Sequence, residues 1–241
     1  MKRFGIIGHP VAGSLSPVLF TAAYEGRYPY DLLDDEDFEV VWARFLAGYD
    51  GINVTAPFKQ DAYARLDNVS DAARRCEAVN LVVKTPDGLK GYNTDVFGVL
   101  GAVGEGPRRT LVVGTGGAAR AAVAAAQMLG GEVTVAGRNP AKTAALSAFM
   151  GCRGISLEEA RGESPELMIY TLPGSAPVPE GLPFDGAQVL EAEYKHPQLE
   201  SVPCREYIHG KHWLVHQALA GYALFTGEEP SAEKIWQAIT F

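Results

Sequence analysis

The chain of 241 residues is 47% apolar and 21% charged, with a formal net charge of −8, which suits one large globular domain or two small ones. The acidic balance, without any basic run, argues against a nucleic-acid partner, because phosphate binding needs a clustered cationic face. Three widely spaced cysteines, Cys76, Cys152 and Cys204, fit neither a metal knuckle nor a disulfide framework, so no metal and a reducing cytoplasm are expected, and no stretch nears the ~18 consecutive apolar residues of a membrane span.

The apolar run in MKRFGIIGHP is broken by glycine and ends at His-Pro, too short for a signal peptide. Residues 4–8 read as a first strand, followed by the loop HPVAGSLSP. A helix is predicted after Ser16, since serine suits the N-cap and Pro17 the first helical position. Residues 34–46 read as a helix with an acidic start, 50–55 as a strand, 61–77 as one helix and 78–84 as a strand. TPDG, at 85–88, is a hairpin-type turn. This alternation argues for α/β layering. From Arg109 a second unit begins. TLVVGTGGAARAAVAAAQMLGGEVTVAGRN gives a buried-type strand at 110–113, a glycine-rich turn, an alanine-rich helix stopping at Gly130-Gly131, and a strand at 133–136. That is one βαβ unit of about 30 residues. Strands follow at 167–171 and 189–192, the proline-rich TLPGSAPVPEGLP (171–183) reads as a long loop at a strand end, and 214–226 and 231–239 read as closing helices.

Gly114, Gly116 and Ala119 fit G-x-G-x-x-G/A. One glycine makes the tight turn, one lets the backbone approach a pyrophosphate, and the small third residue lets helix pack on strand. The helix N-terminus then offers free N–H groups to phosphates. The alternative is a glycine-rich turn that binds nothing, but the motif stands between a strand and a helix with a second strand at the right distance. After that second strand, NAD binding would call for an acid on the ribose 2′-hydroxyl. The chain has GRNPAKT instead, and the cations Arg138 and Lys142 beside Asn139 suit the 2′-phosphate of NADP. Arg138, Asn139 and Pro140 also fit as a plain helix cap, and both roles are compatible.

Four stretches of the first unit carry polar residues at strand and loop ends: SLS (14–16), NVTAPFK (53–59), AVN (78–80) and YNTD (92–95). Each has a plain structural reading, as a helix cap or a satisfied turn. Together they supply hydroxyls, amides, one cation and one carboxylate beside a nucleotide-binding unit, an inventory suited to a small polyhydroxylated acid. Lys59 in particular follows a strand that Pro57 ends, and Asn53 and Thr55 project from one face of that strand.

With these motifs the chain resembles the shikimate dehydrogenase family from Phe4 to nearly its end. The resemblance implies a two-domain α/β fold: an N-terminal α/β substrate domain and an NADP-binding Rossmann domain, with C-terminal helices returning to the first. The implied boundaries are 1–98 with 213–241, and 99–212. It implies reversible, NADPH-dependent reduction of 3-dehydroshikimate to shikimate, in the biosynthesis of chorismate and the aromatic amino acids. Ser14 and Ser16 would bind the carboxylate, and Thr55, Asn80 and Asp95 the ring hydroxyls. Asn53 would support them, Tyr194 and Gln217 would close the substrate pocket, and Lys59 and Asp95 would be catalytic. Gly114, Thr115, Gly116, Gly117, Ala118, Arg138, Asn139 and Lys142 would hold NADP, with Thr171, Ala192 and Gly210 near the nicotinamide. The expected state is a monomer or homodimer.

The chain departs from the family pattern in four places. Val18-Leu19-Phe20-Thr21 stands where a histidine-asparagine pair is common, and Leu81 where threonine follows the Asn80 position. Ile169-Tyr170-Thr171-Leu172-Pro173-Gly174 replaces the N-A-T-P-x-G loop, and KHWLVHQ a Gly-Met-Leu pattern. Alternative readings are a quinate/shikimate paralogue using NAD or NADP, and a non-catalytic nucleotide-binding module.

Overall fold

The apolar FGIIG forms β1 (Phe4–Gly8), buried along its whole length, because strands run beside it on both edges. The structure is a computed structural model that describes residues 1–239. It divides into two units, Met1–Thr94 with the chain from Gln217 onward, and Asp95–His216. In the first unit β1 is followed by α1 (Ser16–Tyr24), β2 (Tyr30–Asp34), α2 (Phe38–Gly48), β3 (Gly51–Val54), α3 (Lys59–Tyr63), β4 (Asn68–Val69), α4 (Asp71–Cys76), β5 (Leu81–Thr85) and β6 (Gly88–Tyr92). The sheet order is β2-β1-β3-β5-β6-β4. β1 is parallel to β2 and β3, and the β5–β6 hairpin joins antiparallel to β3.

Three local expectations change. The helix expected over 34–46 starts later: Asp34 ends a strand, Tyr30–Asp34, that pairs in full register with Phe4–Gly8, and one helix runs from Phe38 to Gly48, its start capped by the Asp37 side chain, which accepts from the Glu39 N–H. Residues 61–77, by contrast, are interrupted. Asn68 and Val69 pair with Lys90 and Gly91 on the sheet edge, and Ser70 Oγ then caps α4 by accepting from Ala73 N–H. In both places tertiary strand pairing overrides a helical pattern. Ser16 is not the N-cap of α1, since Leu15 holds that position, but Pro17 lies in the first turn as expected.

The second unit runs α5 (Asp95–Val103), β7 (Thr110–Val113), α6 (Gly117–Met128), β8 (Val133–Gly137), α7 (Pro140–Met150), β9 (Arg153–Ser156), β10 (Leu167–Tyr170), β11 (Gln188–Glu191), β12 (Glu206–Ile208) and the start of α8 (Gly210–Thr226). Its sheet is parallel, in the order β12-β11-β10-β7-β8-β9. The strand order reverses between β7 and β10, the switch point where a doubly wound sheet opens its ligand crevice. TLVV is buried throughout, and the alanines of α6 from Ala121 to Ala126 are buried too, so their small side chains let the helix lie close on the sheet. The short edge strands β9 and β12 went unpredicted, because RGIS and EYI carry almost no apolar periodicity of their own. α5 packs along α6, so the whole helix goes with the second unit and the division precedes it. Among the described residues no helix is long and apolar enough to cross a membrane.

The last part of the chain completes the first unit. α8 brings Tyr222 and Phe225 onto an aromatic cluster: Phe20 lies 4.8 Å from Tyr30 and 4.9 Å from Tyr222, and Phe4 stacks on Phe225 at 4.9 Å, between ring centroids. Gly51 permits this, since a Cβ there would stand 2.7 Å from the Phe225 ring. Tyr24 seals the end of α8 by donating to Tyr222 O at 2.9 Å, and α9 (Ala232–Ile239) closes against α1. Phe20 is fully buried at the centre of this cluster. Phe20→Ala is therefore expected to cost about 3–5 kcal/mol of stability, measured by urea denaturation; a loss under about 1 kcal/mol would mean that the cluster is not the core of this unit.

Candidate active site

In the first unit the predicted residues Asn53, Thr55, Lys59 and Asn80 collect where β3 ends beside the start of β5. Asn53 is buried on β3, with Tyr30 donating to its Oδ1 at 2.7 Å and its Nδ2 donating to Asn80 O at 3.1 Å. Both polar ends of Asn53 are thus used inside the unit, which fits a supporting role. Thr55 follows the strand, its N–H bonded to Ile7 O at 2.9 Å, and its methyl fills the space that a Cβ on Gly8 would need. Phe58 is the buried plug after the Pro57 turn, and Lys59 opens α3, half-buried. The Lys59 carbonyl accepts from Val79 N–H at 3.0 Å, which fixes the lysine backbone beside the segment that presents Asn80.

Asn80 is 4% exposed and fully engaged. Its Oδ1 accepts from Thr94 N–H at 2.7 Å, and its Nδ2 reaches Thr94 Oγ1 at 3.0 Å and Gln217 Oε1 at 3.4 Å. Asn80 and Gln217, 137 positions apart in sequence, are therefore neighbours. At the other side Ser14 and Ser16 form the turn into α1: Ser16 N–H donates to Ser14 Oγ at 3.2 Å, and Ser16 O accepts from Tyr222 Oη at 3.1 Å. Tyr30 also bonds Ser16. Its ring is partly exposed, but its hydroxyl end is enclosed, and burial followed by the neighbouring Tyr222 holds its pKa well above the ordinary tyrosine value. Tyr30, Thr94 and Tyr222 are the organising groups that sequence reading missed as site residues. No motif marks the two tyrosines; Thr94 lay in YNTD and reads there as a cap. Asn93 completes that stretch, donating to Ala78 O at 3.1 Å, while its buried Oδ1 has no hydrogen-bond partner among the described residues. Asp95 begins α5, half-buried, and belongs to the second unit.

In the second unit the predicted cofactor residues gather at the carboxyl ends of the strands. Gly114 leaves β7 at φ +124°, a backbone state that favours glycine, and a Cβ there would collide with Thr171 Oγ1. Thr171 is held by its own hydroxyl, which donates to Val113 O at 2.8 Å. Gly114 and Thr171 therefore flank the switch point in contact. Gly116 caps α6 without a side chain, and a Cβ on Gly116 or Gly117 would meet nothing within 4 Å. The first turn of α6 thus has open space beside Gly116 and Gly117, into which a pyrophosphate could approach the N–H groups. β8 ends at Gly137, tight against Thr115 and Thr143. Asn139 Oδ1 accepts from Lys142 N–H at 3.1 Å, so the plain capping role of Asn139 is real, and Arg138 and Lys142 stand exposed on either side of it. Ala192 and Gly210 are in contact, since a Cβ on Gly210 would lie 2.8 Å from Ala192 O. Tyr194 is half-buried on the loop after β11, and burial, then Glu193, raises its pKa. The residues present fit a dinucleotide: backbone donors without a side-chain cap, and two cations where a ribose phosphate would lie.

A surface cavity of about 710 Å³ opens elsewhere in this unit, lined by Arg109, Gln127, Gly131, Arg153 and Glu163 among others. It lies at the amino ends of β7 and β8 and contains none of the predicted residues. Open α/β sheets bind ligands at the opposite edge, where the predicted cofactor residues lie.

Comparison with known proteins gives a consistent answer. A family model described as the shikimate dehydrogenase substrate binding domain matches residues 6–82. The shikimate dehydrogenase (NADP(+)) of Acidiphilium cryptum is 36% identical, over 94% of this chain and 91% of that protein. The enzyme of the same name from Thermus thermophilus is 40% identical over 78% of this chain and 77% of that protein. Among solved structures, a shikimate 5-dehydrogenase from Thermus thermophilus in complex with NADP(H) and shikimate superposes with a TM-score of 0.85 at 32% identity, covering 99% of this chain and 98% of that one. Quinate dehydrogenase from Corynebacterium glutamicum in complex with NAD gives 0.82 at 25% identity, with 98% of each chain covered. By relationship along nearly its whole length, this chain belongs to the shikimate dehydrogenase family.

Proposed function

We propose that the chain catalyses the reversible, NADPH-dependent reduction of 3-dehydroshikimate to shikimate, on the route to chorismate and the aromatic amino acids. The observation that carries this reading is the strand-end constellation of the first unit. The run from β3 into α3 carries Asn53, Thr55 and Lys59 in succession, and the Lys59 backbone is bonded to the segment that presents Asn80. Residues 1–98 and 213–241 act as the substrate-binding part, and 99–212 as the NADP-binding part. The setting is the reducing cytoplasm, which three widely spaced cysteines, Cys76, Cys152 and Cys204, suit, and the working state is a monomer or homodimer.

NADPH, when bound, supplies the hydride. The chain supplies position and a proton. Ser14 and Ser16 hold the carboxylate of the acid; Thr55, Asn80 and Asp95 hold its ring hydroxyls, with Gln217 and Tyr194 adding contacts. As the carbonyl carbon gains hydride, negative charge grows on its oxygen, and the Lys59 ammonium donates the proton that completes the hydroxyl. In the reverse direction neutral Lys59 takes that proton back. Asp95 hydrogen-bonds the same region of the ring and keeps the reacting oxygen aligned. On the cofactor side, Gly114 to Ala118 would cradle the pyrophosphate of bound NADP, Arg138, Asn139 and Lys142 would meet its 2′-phosphate end, and Thr171, Ala192 and Gly210 would border the nicotinamide.

Lys59→Ala should lower kcat by about 10²–10⁴-fold with a smaller change in KM, because the proton contact matters most in the transition state. Steady-state assay of NADP reduction with shikimate checks this, with quinate and NAD as comparison substrates; near-native kcat would remove Lys59 from the chemistry. Arg138→Ala should raise KM for NADP by about tenfold, the size of one charge-assisted contact, and leave KM for NAD nearly unchanged. Equal effects on the two cofactors would mean that Arg138 does not read the 2′-phosphate.

A further inference from the structure

Two neighbouring loops of the second unit carry residues with proposed roles. The loop after β10 holds Thr171, and the loop after β11 holds Tyr194. They leave adjacent parallel strands, with Tyr170 opposite Glu191. The first of them is the one whose sequence, IYTLPG, departs from the family pattern, so something other than that pattern has to fix its shape.

The loops are joined through Gly174. Glu193 Oε2 accepts from Gly174 N–H at 3.3 Å, while Glu193 Oε1 accepts from Lys195 N–H at 2.7 Å and His196 N–H at 3.3 Å. Gln198 Nε2 donates to Gly174 O at 2.7 Å. Both backbone polar groups of Gly174 are thus bonded to side chains of the other loop. The approach is close: a Cβ on Gly174 would stand 2.7 Å from His196 O. The far end of the Tyr194 loop is tied down separately. Glu191, fully buried, accepts from Gln198 N–H at 2.8 Å, from Leu199 N–H at 3.1 Å and from the Tyr207 hydroxyl at 2.7 Å. Tyr194 therefore sits on a short arch pinned at one end by Glu191 and across to the Thr171 loop by Glu193. Burial alone raises the Glu193 carboxyl, but the N–H groups of Lys195, Gly174 and His196 outweigh it and hold its pKa below the ordinary glutamate value. The carboxylate is the form that the clasp uses.

We propose that Glu193 is a positioning residue: by bridging Gly174 to the arch of Tyr194 it sets the Thr171 and Tyr194 loops against each other, and so sets the affinity for both NADP and the acid. The inference rests on the roles proposed above for Thr171 and Tyr194. Glutamine at position 193 keeps the size of the side chain but replaces one acceptor with an NH₂ group, which cannot accept from Gly174 or from Lys195 and His196. Losing one such charge-assisted bond corresponds to about a tenfold change in an equilibrium constant.

The test uses the full chain as Glu193→Gln, with Gln198→Ala as a second variant that removes the other half of the clasp. Faster amide hydrogen exchange is expected in Glu193→Gln at Gly174 or at Lys195 and His196, whichever faces the NH₂ group, with a fall in Tm of a few degrees at most. KM for shikimate and the Kd for NADP are expected to rise about tenfold in Glu193→Gln, with kcat within about twofold of the parent. In a Tyr194→Ala background the further effect of Glu193→Gln on KM for shikimate should vanish, while its effect on the Kd for NADP persists. Unchanged exchange at all of Gly174, Lys195 and His196 would overturn the clasp. Faster exchange with unchanged KM and Kd would overturn the positioning role, as would a shikimate effect of undiminished size in the Tyr194→Ala background. A parent chain without turnover on shikimate would instead sink the functional reading, and the exchange rates together with the Kd for NADP would still decide on Glu193.

Discussion

The first unit depends on one buried amide. Asn80 accepts from Thr94 N–H, the last residue before the chain leaves the unit, and donates to Gln217 Oε1, the first residue on its return. Its carbonyl meanwhile accepts from Val54 N–H at 2.8 Å and from the Asn53 side chain. One residue therefore ties together the end of β3, the point of exit and the point of return. Burying an amide is costly unless every donor and acceptor is used, and here each is. The same constraint explains why the polar residues of AVN, NVT and NTD occur in short clusters at strand ends, where Asn53, Asn80 and Thr94 satisfy one another; the buried Oδ1 of Asn93 is the exception.

Carboxylates and hydroxyls follow the same rule in the second unit. Glu191 is fully buried but accepts two backbone N–H groups and one tyrosine hydroxyl, so its charge is compensated where it lies. Tyr170, opposite it on β10, is the counter-case. Burial and the nearby Glu191 push its hydroxyl up to about 12, so it stays protonated throughout the physiological range, and it has no hydrogen-bond partner among the described residues. It is packed with Met168, Val189 and Leu199 as a core residue, not as a reactive phenol.

Legibility followed the range of the forces involved. The βαβ segment was readable almost in full, because Gly114, the buried TLVV strand, the alanine face of α6 and the Gly130 terminator all encode their roles within about 30 residues. Residues 30–34 and 68–69 were not, because YDLLD and NV become strands only by pairing with β1 and β6. Tyr30 and Tyr222 were missed because their function is to meet one another's neighbours across most of the chain: Tyr222 reaches Ser16, 206 positions away. Lys59 looks like a surface charge in isolation, and its half-buried place beside Val79 comes from a backbone contact 20 positions away that no local pattern encodes.

The aromatic cluster has a consequence for the order in which the protein can be made. Phe4, Phe20 and Tyr30 emerge during synthesis before any of the second unit, but Tyr222 and Phe225, which complete their packing, emerge only after all of it. The second unit, by contrast, is one uninterrupted stretch, Asp95–His216. Domains fold as units, in general N-terminal first as the chain emerges, and this chain inverts that sequence. Its later-synthesised unit has everything it needs before the earlier one does, and the first sheet must wait with exposed aromatic surface until α8 has left the ribosome.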